Sequence, residues 1–116
     1  MVLTIGGTDY EVRFGVRFVK TLDEKYNKKI DGMAYGMGLE MRIPFLFSED
    51  ITVLSEFLYE GTCHLKKRPT VSQVDDYIDE CEDIEALFEE VKSDLKKQNA
   101  TQKKTLAIEA AMKKQN

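Results

Sequence analysis

The feature that most constrains this chain is an alternation of apolar and polar residues, interrupted by a pair of glycines. The alternation runs from Leu3 to Phe14, with the glycines at positions 6 and 7. A period of two is typical of β-strands, and a two-residue Gly-Gly loop predicts a tight hairpin because glycine reaches the positive φ that the turn requires. Such a loop sets Ile5 opposite Thr8. One face of the hairpin is then apolar and consists of Leu3, Ile5, Tyr10, Val12 and Phe14.

An isolated hairpin is marginally stable in water, so this apolar face requires a cover. Apolar residues recur at helical spacing in about four later segments, at 16–28, 37–46, 51–60 and 71–95. Asp83 would cap a separate helix within 71–95, and one long bent helix is the alternative that the sequence leaves open. The 116 residues suit a single domain. We predict a mostly helical α+β fold, in which an N-terminal two-stranded β-hairpin packs against four or five α-helices.

Charge is unevenly distributed along the chain. Residues 75–95 contain ten acidic residues and one lysine, whereas residues 96–116 contain six lysines and one glutamate. The basic segment has no aromatic residue and a linker-like composition at its start. We therefore divide the chain into an α+β domain at 1–95 and a basic C-terminal tail at 96–116 that is predicted to be mobile. Both charged segments are interpreted either as solvated surfaces or as partner-binding surfaces.

Candidate catalytic and metal-binding residues are few. His64 is the single histidine and follows Cys63, while Cys81 lies 18 positions further on. This spacing does not fit a zinc site, and adjacent Cys and His residues lack a third group to orient them. The acidic residues of 75–83 follow one helix face rather than the pattern of a calcium loop. We predict a non-enzymatic protein with no catalytic residue, no cofactor and no metal.

Composition also bears on the compartment and on the partners. No apolar run approaches the about 20 residues that span a bilayer, and the N-terminus does not resemble a secretory signal. The lysines of the tail have no interleaved aromatic residues, so nucleic-acid binding is not expected. We predict a cytoplasmic protein with reduced cysteines that binds neither membrane nor nucleic acid.

The segment between residues 33 and 47 is the best candidate for a partner-binding surface. Three methionines recur every fourth position, and aromatic residues flank them. Methionine is flexible and polarizable, so methionine-rich surfaces adapt to varied partners. The alternative is that these side chains fill gaps in the core. The predicted partner-binding residues are Met33, Tyr35, Met37, Met41, Phe45 and Phe47.

Five segments in a fixed order resemble a known family. They are Leu-Thr-Ile-Gly-Gly-Thr-Asp-Tyr-Glu-Val-Arg-Phe-Gly from residue 3, Phe-Val-Lys-Thr-Leu-Asp-Glu-Lys-Tyr at 18–26, Gly-Met-Gly-Leu at 36–39, Leu-Ser-Glu-Phe-Leu-Tyr-Glu-Gly-Thr at 54–62 and Arg-Pro-Thr-Val-Ser-Gln-Val-Asp-Asp-Tyr-Ile at 68–78. Their order and spacing resemble the tail assembly chaperones of long-tailed phages and prophages of Gram-positive bacteria. The resemblance covers residues 2–95.

The resemblance implies a protein of the bacterial host cytoplasm that binds the tape measure protein and helps to recruit tail tube subunits during tail morphogenesis. It implies no catalytic residues, and it implies that the protein is absent from the finished virion. A homo-oligomer along the client is also expected, in which an acidic helix of one copy meets the basic tail of the next. The alternative interpretation is a structural tail or head-completion protein that the virion retains.

Overall fold

The computed structural model describes residues 1–114 of the chain. Within this range, two small antiparallel sheets and six helices form a mostly helical α+β fold, which confirms the predicted class. The elements in chain order are β1 (Val2–Ile5), β2 (Thr8–Glu11), α1 (Val16–Lys25), β3 (Asn27–Ile30), β4 (Met33–Gly36), α2 (Gly38–Phe47), α3 (Ile51–Glu60), α4 (Val71–Glu80), α5 (Ile84–Lys97) and α6 (Gln102–Lys114).

The N-terminal hairpin has the predicted register. Ile5 lies opposite Thr8, and the two glycines of the turn have φ values of 57° and 79°. The helices cover its apolar face, where Phe14 packs edge-on against Phe18 with ring centroids 4.9 Å apart. Leu3, Val12 and Phe14 are buried, and Ile5 and Tyr10 are partly buried against the same core.

A second hairpin follows α1, where the sequence analysis predicts the end of a longer helix. Helix α1 ends at Lys25 rather than at residue 28, because Tyr26 adopts an extended conformation (φ −122°, ψ 99°). Strands β3 and β4 then pair around Asp31 and Gly32, whose φ values are 51° and 79°. Positive φ at both central positions is what a two-residue hairpin turn requires, and Asp-Gly satisfies it. The N–H of Met37 donates to the carbonyl of Tyr26 at 2.8 Å and closes the base of this hairpin.

Close backbone contact fixes α2 against α1. A Cβ atom at Gly38 would lie only 2.5 Å from the Cβ of Leu22, so no larger residue fits there. The N–H of Gly38 also donates to Oδ1 of Asp23 at 2.9 Å, which ties the start of α2 to α1. The predicted helix at 37–46 agrees with α2 to within one residue at each end. These contacts place α2 directly beside the base of the second hairpin.

Each of the next three helices begins after a residue whose side chain caps it. Asp50 accepts hydrogen bonds from backbone N–H groups of the first turn of α3, and Thr70 forms a reciprocal capping box with Gln73 at the start of α4. Asp83 accepts a hydrogen bond from the N–H of Ala86 at 3.0 Å and caps α5. Residues 71–95 therefore form two helices rather than one. Their buried residues include Val74, Ile78, Leu87, Phe88, Val91 and Leu95.

The basic C-terminal segment completes α5 and forms α6, which packs against α2 and α5. Ion pairs join Lys104 to Glu40 on α2 at 3.0 Å and Lys96 to Glu109 at 2.6 Å. The hydroxyl of buried Thr101 donates to the carbonyl of Leu95. The division into a domain at 1–95 and a mobile tail at 96–116 stays a prediction, and residues 115–116 lie outside the described range.

Candidate partner-binding surface

The second hairpin presents apolar side chains to solvent. Every residue of β3 and β4 is exposed. The pairing of Ile30 with Met33 and of Lys28 with Tyr35 puts these four side chains on one face, because directly opposed residues share a face. Ile30 is 48% exposed, Met33 62% and Tyr35 46%. Among the described residues nothing covers this face, so the hairpin offers an apolar ribbon that is free to bind.

Helix α2 adds a second exposed apolar pair. Met41 and Phe45 lie one turn apart on the same side of the helix and are 45% and 52% exposed. The two remaining predicted residues are less accessible. Met37 is partly buried at the start of α2, and Phe47 packs against the core. We call Ile30, Met33, Tyr35, Met41 and Phe45 the exposed apolar surface.

An ionic network connects the base of the second hairpin to α2. The carboxylate of Glu56 on α3 accepts hydrogen bonds from the Tyr26 hydroxyl at 2.6 Å, from Nε of Arg42 at 3.0 Å and from Nζ of Lys25 at 3.2 Å. The Arg42 guanidinium also lies over the ring of Tyr26 at 4.9 Å and over that of Phe45 at 5.8 Å. Because Tyr26 precedes β3 and Arg42 belongs to α2, the network holds the hairpin base and α2 to a common support.

The electrostatics of this network match its geometry. Burial alone would raise the pKa of Glu56, but hydrogen bonds from Tyr26, Lys25 and Arg42 outweigh it and hold the pKa below its ordinary value. Burial would lower the pKa of Lys25, but the carboxylates of Glu60 and Glu56 prevail and raise it. Burial, reinforced by Glu56, raises the pKa of Tyr26. Near neutral pH, therefore, the Glu56 carboxylate and the Lys25 ammonium are charged, and Tyr26 is neutral and donates its hydroxyl hydrogen to Glu56.

The charged segments form separate surfaces. A groove of about 450 Å³ between α3 and α4 has an apolar lining from Ile51 and Ile78 and an acidic lining from Asp75 and Asp79. The exposed side of α6 is basic. It carries the lysines at 103, 104, 113 and 114, and Leu106 is exposed between them. The α3–α4 groove and the exposed side of α6 thus carry opposite charges.

Of the residues considered for chemistry, Cys63 and His64 line one cavity, and Oε1 of Glu11 lies 3.4 Å from Nε2 of His64. Within residues 1–114 no group of three or more His, Cys, Asp or Glu side chains is placed to hold a metal ion. Cys63 and Cys81 are both free thiols. His64 lies at the opposite end of α1 from the second hairpin, in a cavity with Arg13 and Arg17.

Three residues that form or support the exposed apolar surface were not predicted from the sequence, namely Ile30, Arg42 and Glu56. A signal for Ile30 was present, because Asp31-Gly32 between two short β-prone segments is a hairpin pattern. Arg42 and Glu56 are 14 positions apart on different helices, and no local pattern predicts that they meet.

Comparison with protein families identifies one that matches most of the chain. A family model described as phage tail assembly chaperone protein, TAC, matches residues 2–109. No curated protein and no solved structure matches the chain. In the described part of the chain, no helix is both long and apolar enough to cross a membrane. Since the match extends from β1 into α6 and covers nearly the whole chain, this protein belongs to the phage tail assembly chaperone family.

Proposed function

We propose that this chaperone binds the tape measure protein through the exposed apolar surface and helps to recruit tail tube subunits around it. The observation that carries the proposal is the exposure of Met33, Met41 and Phe45 beside a rigid ionic support. A chaperone for a long hydrophobic client needs apolar side chains that are not buried in its own core. The β3–β4 hairpin and α2 provide them.

The chemistry of the surface suits an amphipathic helix as the bound segment. Methionine side chains adapt to varied apolar shapes, while Tyr35 and Phe45 supply rigid contact area. Lys28 lies on the same hairpin face as Tyr35 and would contact acidic residues at the edge of the client helix. Such a surface recognises the spacing of hydrophobic side chains rather than one particular sequence.

We further propose that copies of the chain associate along the client. The acidic lining of the α3–α4 groove and the exposed lysines of α6 are complementary in charge. A contact between two different surfaces leaves one of each free, so it extends into a chain of copies rather than closing a dimer. Contacts of this kind weaken as salt screens the charges.

The proposed role is non-enzymatic, requires no cofactor and is performed in the cytoplasm of the bacterial host. Binding to tail proteins alone accounts for it.

Co-expression tests the proposal. A tape measure fragment produced alone in the bacterial cytoplasm should aggregate, and the same fragment produced with this chain should remain soluble and co-purify with it. Failure of both the fragment and a tail tube subunit to co-purify would contradict the proposal. Mass spectrometry of purified virions separates it from the alternative, because a structural tail or head-completion protein would be found in the particle and an assembly chaperone would not.

A further inference from the structure

A cavity at the N-terminus of α1 lies apart from the exposed apolar surface. Its volume is about 280 Å³, and Arg13, Gly15, Arg17 and His64 contribute to its lining. The second hairpin leaves α1 at the other end, and ten residues of helix rise about 15 Å. The cavity is thus independent of the proposed client site and concentrates two guanidinium groups and one imidazole.

The helix end at this cavity has no internal cap. Gly15 at the N-cap position has no side chain to accept a hydrogen bond, no side-chain cap bond forms there, and the first turn contains no acidic residue. The first N–H groups of a helix lack partners within the helix and attract negative charge. By contrast α3, α4 and α5 are each capped by a side chain.

An independent observation concerns the imidazole of His64. Its side chain is 10% exposed, and neither ring nitrogen has a hydrogen-bond partner in residues 1–114. Oε1 of Glu11 lies 3.4 Å from Nε2 without the geometry of a hydrogen bond. A buried polar group without a hydrogen bond is unfavourable, so a better placed acceptor that displaced this carboxylate would relieve the cost.

Glu11 is the internal competitor for these donors. Its carboxylate also contacts Nη2 of Arg13 at 2.6 Å, and the two side chains are 52% and 59% exposed. An exposed ion pair contributes little to stability, so it rearranges readily when a better placed anion arrives. Arg17 has no such pairing among the described residues and remains available.

We propose that this cavity binds one oxyanion group, either a phosphate or a carboxylate. The guanidinium groups of Arg13 and Arg17 and the free N–H groups of α1 surround the anion. His64 donates an N–H from the cavity wall. Both oxyanions accept several hydrogen bonds at once, and the mixed set of donors matches that capacity.

The single histidine gives a direct test in the intact protein. The imidazole resonances of His64 are recorded at constant pH and constant ionic strength while inorganic phosphate, or separately acetate, is added. A saturable shift with phosphate identifies a phosphate site, and one with acetate alone identifies a carboxylate site. The absence of saturable shifts with both anions would overturn the proposal.

Variants sharpen this test without removing buried groups. Arg17→Gln should raise the dissociation constant about tenfold, the equivalent of one charged hydrogen bond, whereas Lys20→Gln on the same helix should leave it unchanged. Glu11→Gln should lower the dissociation constant because it removes the competitor. Gly15→Asp should abolish binding and raise the melting temperature, since its carboxylate caps α1 and the nearest side-chain atoms leave room for a Cβ at 3.6 Å. Equal affinities in Arg17→Gln and Lys20→Gln would refute the assigned donors.

Discussion

Replacement of Glu56 by glutamine tests how the protein supports its exposed apolar surface. The Glu56 carboxylate is 12% exposed. It accepts hydrogen bonds from Lys25 on α1, from Tyr26 between α1 and β3, and from Arg42 on α2. Glutamine keeps the shape and one acceptor oxygen but removes the negative charge. Arg42 and Tyr26 then lose a charged partner in a partly buried position.

The magnitude follows from these contacts. A hydrogen bond to a charged group contributes about 1.5–3 kcal/mol. The single glutamine oxygen can accept from Tyr26 and Lys25, which share Oε2, or from Arg42, but not from all three. The contact with Lys25 adds little, because that lysine is 46% exposed. We expect Glu56→Gln to lower the free energy of unfolding by about 2–3 kcal/mol, which corresponds to about 8–12 °C in melting temperature for a chain of this size.

Urea denaturation followed by circular dichroism measures this loss. The control is Glu24→Gln, because Glu24 occupies an exposed position of α1. The control should stay within about 0.5 kcal/mol of the wild type. Because the pKa of Glu56 lies below its ordinary value of 4.5, its contribution is complete above pH 4.5 and is lost as the pH falls through the lowered pKa. The difference between wild type and variant should therefore shrink in acid. Equal effects of the two variants, or a difference that is independent of pH, would refute the reasoning.

Two further predictions concern packing and self-association. Gly61→Ala should lower the free energy of unfolding by about 1–3 kcal/mol in the same urea assay, because the alanine Cβ would lie 2.5 Å from Cγ1 of Val12. A variant as stable as the wild type would contradict this packing. In sedimentation velocity, Asp75→Lys/Asp79→Lys and Lys113→Glu/Lys114→Glu should each abolish a salt-sensitive association that the wild type shows. An equal mixture of the two should associate again, because the groove of each variant then meets an α6 of opposite charge. A mixture that stays monomeric would argue against contact between the α3–α4 groove and α6.

The accuracy of sequence reasoning here depended on whether the signal was local. The first hairpin was predictable in register, because Gly6-Gly7 fixes the turn and the alternation fixes the faces. The helix starts at Asp50, Thr70 and Asp83 were predictable for the same reason, since a cap acts within one turn.

The second hairpin shows where local reasoning failed. Lys28 and Lys29 follow an amphipathic helix and suit its end, so the sequence predicted the last part of that helix where the four-residue strand β3 begins. What ends α1 is tertiary: Tyr26 turns away from the helix to donate to Glu56, 30 positions later. Helix α6 likewise packs against α2, which is distant in the sequence. The low hydrophobicity of the α6 sequence does not indicate this packing.

The methionine spacing singled out residues 33–47, and the structure leaves Met33, Tyr35, Met41 and Phe45 exposed. The four-residue spacing of the methionines is that of one helix, but Met33 belongs to a strand and Met41 to a helix. Their role in binding a partner stays a prediction.

The affinity of the intact chain for a purified tape measure fragment tests the central claim most directly. Met33→Ser/Phe45→Ser removes two exposed apolar side chains, and Val2→Ser/Val71→Ser removes two others of similar exposure elsewhere. The first variant should bind at least about tenfold more weakly at unchanged stability, and the second should bind like the wild type. Equal binding by all three proteins would show that the client is held somewhere other than the hairpin and α2.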